Sequence, residues 1–296
     1  MAACNACPRA CGAERDTGRL GTCHAPDSFL VARASLHAWE EPFLSGTRGS
    51  GTVFFGGCNL HCVFCQNREI SGGRLGKVLD DAELEALFLR IRDAGAHNLN
   101  LVTPTHYAMR LKGVLERVKP RLSIPVVYNC GGYEGLEALR GMRGLVDVYL
   151  PDVKYFSPEV SKKYSSASDY FEVAIAALEE MIGQVGSPVF DGEGMLLRGV
   201  VVRHLALPGN RHDSIALLGE LARRFGNRAF LLSLMSQYTP DFATDSPYPE
   251  LHRRLTEFEY RSIVSEAERL GFEGCVQDRA SASASFTPDF HERSLL

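Results

Sequence analysis

The stretch Gly57-Cys-Asn-Leu-His-Cys-Val-Phe-Cys-Gln66 places three cysteines, Cys58, Cys62 and Cys65, within eight residues. Closed [4Fe–4S] electron-transfer centres take four cysteine thiolates. Three thiolates at this C-x3-C-x2-C spacing would leave one iron of such a cluster without a protein ligand and free to hold a small molecule. The alternatives are a zinc site or ordinary buried thiols. A structural zinc site has four ligands, and His61, adjacent to Cys62 in a tight loop, is poorly placed to be the fourth.

A second group of four cysteines lies in the N-terminal stretch of the chain: Cys4, Cys7, Cys11 and Cys23. Four thiolates close the coordination sphere of a zinc ion or of a second [4Fe–4S] cluster. Zinc is preferred because nothing nearby demands redox chemistry, and a second cluster stays open. We predict a Cys-rich metal-binding extension over residues 1–50, where glycines are frequent and apolar periodicity is weak, followed by a core domain over residues 51–296.

The composition is that of an ordinary globular protein, with 296 residues, 45% of them hydrophobic, 23% charged, and a net charge of −4. This charge gives no reason to expect nucleic-acid binding. The chain has neither an apolar run that would span a bilayer nor an N-terminal signal region, so a cytoplasmic location without membrane attachment is expected. Seven of the nine cysteines fall in the two groups, which in a reducing compartment favours metal ligation over disulfides.

From Thr52 onward, short apolar runs alternate with amphipathic segments. Six strands are predicted: 52–56, 98–102, 124–128, 146–150, 197–203 and 229–234. Helices are predicted from Asp80 or Asp81 to Gly95, after His106, and over 136–140, 169–184, 214–225 and 256–270, the last with a capping box of Thr256 and Glu259. This alternation favours an α/β fold with a parallel sheet covered by helices, either an open doubly wound sheet or a barrel.

Several motifs together resemble the radical S-adenosylmethionine (SAM) superfamily, and within it the proteins described as pyruvate formate-lyase activating enzyme-like. The motifs are the cysteine loop with Phe64 before its last cysteine, the N-terminal Cys-x2-Cys-Pro-Arg-x-Cys, Arg48-Gly-Ser-Gly51, Leu-Val-Thr-Pro-Thr-His-Tyr, Tyr-Leu-Pro-Asp-Val-Lys-Tyr and Ser-Leu-Met-Ser-Gln-Tyr-Thr-Pro. The resemblance extends over essentially the whole chain. It implies a partial (β/α)6 TIM-like barrel carrying a small Cys-rich extension, with the cysteine loop after the first barrel strand, at the C-terminal mouth.

The resemblance also implies the chemistry. A [4Fe–4S] cluster on Cys58, Cys62 and Cys65 would hold SAM and cleave it reductively to a 5′-deoxyadenosyl radical, with reduced flavodoxin or ferredoxin as electron donor. Activation of a glycyl-radical enzyme is the closest analogy. Radical modification of a small molecule, a peptide or another protein residue is the alternative, and a non-catalytic metal-binding regulatory protein is the hypothesis from another class.

Cofactor contacts are implied at the strand ends: Thr103, Thr105, Asn129, Asp152, Lys154, Arg203 and Gln237. Thr103 and Thr105 stand where many relatives carry a Gly-Gly-Glu-Pro-like turn whose backbone contacts the SAM amino group. Asp152 and Lys154 resemble the Asp-Leu-Lys of glycyl-radical activating enzymes, and they lie on the same side of an extended segment. Arg203 is suited to binding a carboxylate through two hydrogen bonds.

Overall fold

The structure is a computed structural model that describes residues 4–283, 288–291 and 294–295. Its strands are β1 (Phe29–His37), β2 (Ser50–Phe55), β3 (Lys77–Leu79), β4 (Leu99–Val102), β5 (Val126–Cys130), β6 (Val148–Pro151), β7 (Val189–Phe190), β8 (Leu196–Leu205), β9 (Leu231–Met235) and β10 (Gly274–Val276). Its α-helices are α1 (Pro42–Ser45), α2 (Arg68–Ser71), α3 (Asp81–Asp93), α4 (Ala108–Leu122), α5 (Leu136–Gly141), α6 (Pro158–Ser165), α7 (Tyr170–Val185), α8 (Arg211–Phe225) and α9 (Glu257–Leu270).

The strands form one sheet in the order β10-β9-β8-β6-β5-β4-β2-β1-β3, with β7 paired to β8. The neighbours from β2 through β10 are parallel. Antiparallel pairing is confined to β1 with β2, β1 with β3, and β7 with β8. Within the described residues, the edge strands β3 and β10 are not paired with each other. The sheet is therefore unclosed, and the predicted partial barrel is confirmed.

The six predicted strands correspond to β2, β4, β5, β6, β8 and β9, and each lies within two residues of its expected ends. The predicted helices are also present. Asp80 caps α3, because its carboxylate accepts the N–H of Glu83 while the Glu83 carboxylate accepts the N–H of Asp80. Thr256 and Glu259 form the predicted capping box of α9. Strands β3, β7 and β10 are two or three residues long, which is too short for a period-two pattern to identify.

Strand β1 was not expected, since it lies in the segment assigned to the Cys-rich extension. It pairs along its length with β2, the first parallel strand, so residues 1–50 contribute a strand to the sheet. The domain boundary at residue 50 stays a prediction, and residues 1–3 and 296 at the outer ends of the two ranges lie outside the described residues. Among the described residues, no helix combines the length and apolar composition needed to cross a bilayer.

The two faces of the sheet have different roles. One face packs against the helices, as where Leu101 and Tyr128 join the same buried cluster as Leu84 of α3. The other face lines the barrel interior, where Val127 and Val201 pack in a second cluster with residues of α1, β6 and β9. Side chains alternate along a strand. The polar residues two positions after Val127 and Val201, at the C-terminal ends of their strands, therefore lie on the same interior face. This continuation of the interior face positions the site.

Candidate functional site

The cysteine loop follows directly after β2. Gly57, at the turn, has a φ of 91°, and a Cβ at this position would lie 2.5 Å from the carbonyl oxygen of Cys23. Only glycine fits both constraints. The turn directs Cys58, Cys62 and Cys65 into a single cleft at the C-terminal ends of the parallel strands. The cleft has a cavity volume of about 190 Å³ and opens to solvent.

The three thiols lie in one cleft and are of the donor type that iron–sulfur clusters take. The Ser165 hydroxyl donates to the Cys62 sulfur at 3.0 Å, and the Leu60 N–H contacts the Cys58 sulfur at 3.4 Å. Burial raises the pKa of Cys65 to about 12 and also raises that of Cys58. Such thiols stay protonated by themselves, and metal ions, which displace the protons on binding, would convert them to thiolates.

A charged network lines the same cleft beside the cysteines. The Asp152 carboxylate accepts from Arg203 Nε at 3.0 Å and from Lys154 Nζ at 2.5 Å, while Arg203 Nη2 donates to Asn129 Oδ1 at 2.6 Å. Burial by itself would raise the pKa of Asp152, but Arg203 and Lys154 together hold it below its usual value. The network thus places two cations around one carboxylate, which suits recognition of an anionic group on a ligand.

The two threonines of the Thr-Pro-Thr turn after β4 lie in different surroundings. Thr103 lines the cleft, with a φ of 59° and its N–H bonded to the Asn129 carbonyl oxygen at 2.8 Å. A left-handed φ is exceptional for a β-branched residue. Thr105 does not line the cleft; it is buried and donates its hydroxyl to Glu134 at 2.7 Å. Gln237, from the loop after β9, lines the cleft as expected.

Two glutamates that contact predicted site residues were not identified from the sequence. Glu40 reaches Arg203 Nη1 at 3.5 Å from the segment between β1 and α1, and burial raises its pKa. Glu134 accepts hydrogen bonds from Thr105 and Tyr128, and burial raises its pKa to about 7. Neither residue belongs to a spaced motif. The pair of glutamates before a proline at residues 40–42 was the only available signal for the first of them.

The N-terminal cysteines lie together on the side of the cysteine loop. Arg15 Nη2 contacts the sulfurs of Cys4 and Cys23 at 3.5 and 3.2 Å. Burial raises the pKa of Cys7 to about 11, whereas Cys11 is exposed. Throughout the residues that the structure describes, no three Cys, His, Asp or Glu side chains are grouped as ligands of a single metal ion. Metal binding by these four cysteines, like that by Cys58, Cys62 and Cys65, therefore stays a prediction.

Comparison with known proteins gives the family. The sequence profile of the radical SAM superfamily matches residues 52–218, more than half of the chain. An uncharacterised protein of Methanocaldococcus jannaschii is 29% identical over 275 residues, which cover 90% of this chain and 74% of that protein. The profile match includes the cysteine loop and the cleft residues at the ends of β4, β5, β6 and β8, whereas Met235 and Gln237 lie beyond it.

Similar solved structures support the fold. Methylornithine synthase superposes with a TM-score of 0.51 at 15% identity, over 74% of this chain and 60% of that one. Streptococcus suis SuiB bound to the precursor peptide SuiA gives a TM-score of 0.50 at 11% identity, over 75% of this chain and 46% of that one. The chain spans less than two thirds of either protein, and the likeness is one of fold. With the profile match, it follows that this chain belongs to the radical SAM superfamily, whose enzymes use a [4Fe–4S] cluster and S-adenosylmethionine.

Proposed function

We propose that Cys58, Cys62 and Cys65 bind the [4Fe–4S] cluster and that the cleft they line binds SAM. The observation that carries this proposal is the position of the three thiols in the same cleft as the Asp152 network. A closed electron-transfer centre would use a fourth cysteine. A fourth thiol, Cys130, also lines this cleft, but it belongs to β5, whereas Cys58, Cys62 and Cys65 share one loop; we take the three loop thiols as the ligands.

The residues around the cleft have separate tasks. When bound, the cluster supplies the electron that cleaves the sulfonium of SAM. Arg203 and Lys154 would bind the carboxylate of SAM, with Asp152 holding both cations in place. The Thr103 backbone and the Asn129 side chain offer polar contacts to the amino group and the ribose, and Gln237 offers contacts at the mouth. Apolar side chains complete the wall and limit access of water: Val102, Leu205 and Met235.

For the reaction itself, we propose hydrogen-atom abstraction from a glycine of a partner protein, which would activate a glycyl-radical enzyme. The resemblance of Asp152-Val-Lys154 to the Asp-Leu-Lys of such activating enzymes supports this choice, and both side chains line the cleft. The alternative is direct radical modification of a small molecule, a peptide or another protein residue. The Thr103-Pro-Thr105 turn, which departs from the Gly-Gly-Glu-Pro-like turn of many relatives, and the extra N-terminal segment leave this alternative open. Either reaction requires an electron donor such as reduced flavodoxin or ferredoxin.

The cofactor chemistry is tested with protein reconstituted anaerobically with iron and sulfide. With dithionite and SAM, the wild type should form 5′-deoxyadenosine, and a variant with Cys58, Cys62 and Cys65 all replaced by Ala should not. Cys275→Ala is the matched control, since this thiol lies outside the cleft. Equal iron at this site in the wild type and the triple variant, with no SAM cleavage by either, would refute the assignment and favour a non-catalytic metal-binding protein.

The partner is tested by electron paramagnetic resonance (EPR). A glycine-centred doublet should form on a candidate glycyl-radical enzyme only when the wild type, SAM and reductant are all present. Omission of SAM and use of the triple cysteine variant are the controls. If 5′-deoxyadenosine is produced with a small molecule or peptide and plausible glycyl-radical partners give no doublet, the alternative reaction is supported instead.

A further inference from the structure

Arg9, between two of the N-terminal cysteines, contacts the cysteine loop. Its Nε donates to the carbonyl oxygen of Asn59, the residue after Cys58, at 2.8 Å. Its guanidinium carbon also lies 5.1 Å from the centre of the Tyr133 ring. Arg9 is 50 residues away from Asn59 in sequence. This one side chain therefore connects the N-terminal segment (residues 4–25) to the cysteine loop.

The other two nitrogens of the same guanidinium bind the end of α6. Nη2 donates to the carbonyl oxygen of Ser165 at 2.9 Å and Nη1 to that of Ser166 at 2.6 Å. The last carbonyls of a helix have no partner within the helix, and a cation there also interacts favourably with the helix dipole. Ser165 in turn donates its hydroxyl to the Cys62 sulfur. Arg9 therefore holds the backbone of Ser165, whose side chain contacts Cys62.

Backbone groups of the N-terminal segment hold two further points of the loop. The Cys58 N–H donates to the carbonyl oxygen of Cys23 at 3.2 Å. The His61 ring Nε2 lies 2.6 Å from the carbonyl oxygen of Thr22. His61 has a φ of 51°, a conformation that few non-glycine residues adopt without support. These contacts fall on either side of the bond that Arg9 makes to Asn59.

We infer that the N-terminal segment is a clamp that holds the cysteine loop in its cluster-binding conformation, and that Arg9 is a positioning residue for the cluster. The inference rests on the proposed function, since it takes Cys58, Cys62 and Cys65 as the cluster ligands. The physical basis of this inference is the rigid, planar arrangement of the N–H donors of the guanidinium. Three acceptors on two separate chain segments are satisfied by one planar group, which a lysine ammonium does not reproduce.

The test compares Arg9→Ala and Arg9→Lys with the wild type and with Arg19→Ala. Arg19 is the matched control because it lies in the same segment and its guanidinium contacts Gly12 and Glu14 of that segment. All proteins are reconstituted anaerobically, and three quantities are measured: iron and sulfide per chain, the EPR signal of the reduced cluster with and without SAM, and formation of 5′-deoxyadenosine. Circular dichroism and thermal unfolding report whether each variant is folded.

We expect Arg9→Ala to be folded but to cleave SAM about ten- to a hundredfold more slowly, since small displacements of reacting groups have effects of this size. Its EPR signal should change less on addition of SAM, and Arg9→Lys should recover only part of both properties. Arg19→Ala should match the wild type. If Arg9→Ala matches Arg19→Ala in iron content, EPR signal and SAM cleavage, the clamp is refuted.

Two further outcomes are informative. If Arg9→Ala does not fold, His61→Ala removes a different contact of the clamp, and a smaller loss of the same signals supports the inference while wild-type behaviour refutes it. If the wild type assembles a cluster but cleaves no SAM, the proposed function fails. The iron content and EPR signal of Arg9→Ala relative to Arg19→Ala would then still decide whether the clamp positions the loop.

Discussion

The backbone N–H of Cys58 donates to the carbonyl oxygen of Cys23 at 3.2 Å, so a backbone hydrogen bond joins the first cysteine of the cysteine loop to the last cysteine of the N-terminal group. The two groups are neighbours in space although 34 residues separate Cys23 from the next cysteine. No residue belongs to both groups of cysteines. Metal binding at one group should therefore be separable from metal binding at the other.

The first prediction follows from that separation. The variant in which Cys58, Cys62 and Cys65 are replaced by Ala should retain metal at Cys4, Cys7, Cys11 and Cys23. Metal analysis giving about one zinc per chain supports a structural zinc site, and about four irons with sulfide supports a second cluster. A variant without the four N-terminal cysteines is the control. If the first variant holds no metal after reconstitution with either, these cysteines are not a metal site.

The second prediction concerns Asp152. Replacement by Asn removes the carboxylate that pairs with both Lys154 and Arg203, and Arg203 then keeps only its longer contact with Glu40. Loss of one partner from a buried ion pair costs about 3–5 kcal/mol. We expect Asp152→Asn to lower the free energy of unfolding in urea by roughly 3 kcal/mol and to weaken SAM binding. Asp93→Asn, at an exposed carboxylate paired only with Arg92, should change neither quantity.

The pH dependence of this pair has a definite sign. The pKa of Asp152 is lower in the folded protein than its ordinary value, so its contribution to stability is complete above the unfolded pKa of about 3.9 and is lost as the pH falls through the folded value. Below about pH 4, the stability difference between the wild type and Asp152→Asn should therefore shrink. A difference that stays constant down to pH 2 would argue against the ion pair.

The third prediction concerns Glu134, for which the sign is opposite. Burial raises its pKa to about 7, above the unfolded value of about 4.3. Its contribution to stability is therefore complete below the unfolded value and is lost as the pH rises through about 7, a change on the order of 3 kcal/mol. Glu134→Gln, which is neutral at every pH, should lose this dependence.

Urea unfolding of the wild type and Glu134→Gln between pH 5 and pH 8 checks this. The wild type should lose stability relative to the variant as the pH rises across that range. Glu179→Gln serves as the control at an exposed glutamate. Parallel curves for the wild type and Glu134→Gln would show that the carboxyl does not titrate between these limits.

The fourth prediction separates the backbone of Thr103 from its side chain. Glycine adopts the observed φ of 59° without strain, so Thr103→Gly should keep SAM cleavage and change stability by no more than about 1 kcal/mol. Thr103→Pro fixes φ near −65° and removes the N–H that bonds to Asn129, so it should reduce SAM cleavage at least about tenfold. Equal losses in both variants, measured as 5′-deoxyadenosine formation, would show that the threonine side chain carries the role.

The cysteine loop and its strand were accessible to sequence reasoning because both are local features. A spacing of three and two residues between thiols defines the loop, and alternating apolar runs define the six strands. Thr105 shows where this reasoning ends. It lies two residues from Thr103, yet it begins a 3-10 turn, Thr105–Tyr107, that carries its side chain away from the cleft to Glu134. The direction of a side chain beyond a strand end depends on packing that local pattern does not encode.

The sequence by itself therefore determined the spacing of the cysteine loop, the alternation of strands and helices, and the polar residues at the ends of β4, β5, β6 and β8; the ligand set of the loop stays a prediction. Only the tertiary structure decided that Glu40 meets Arg203, 163 residues away, and that Arg9 holds the loop and the end of α6 together. The physical reason is that periodicity records which face of an element is buried. Contacts between segments that are distant in sequence arise only when the sheet curves into a partial barrel and brings strand ends and loops together at the cleft.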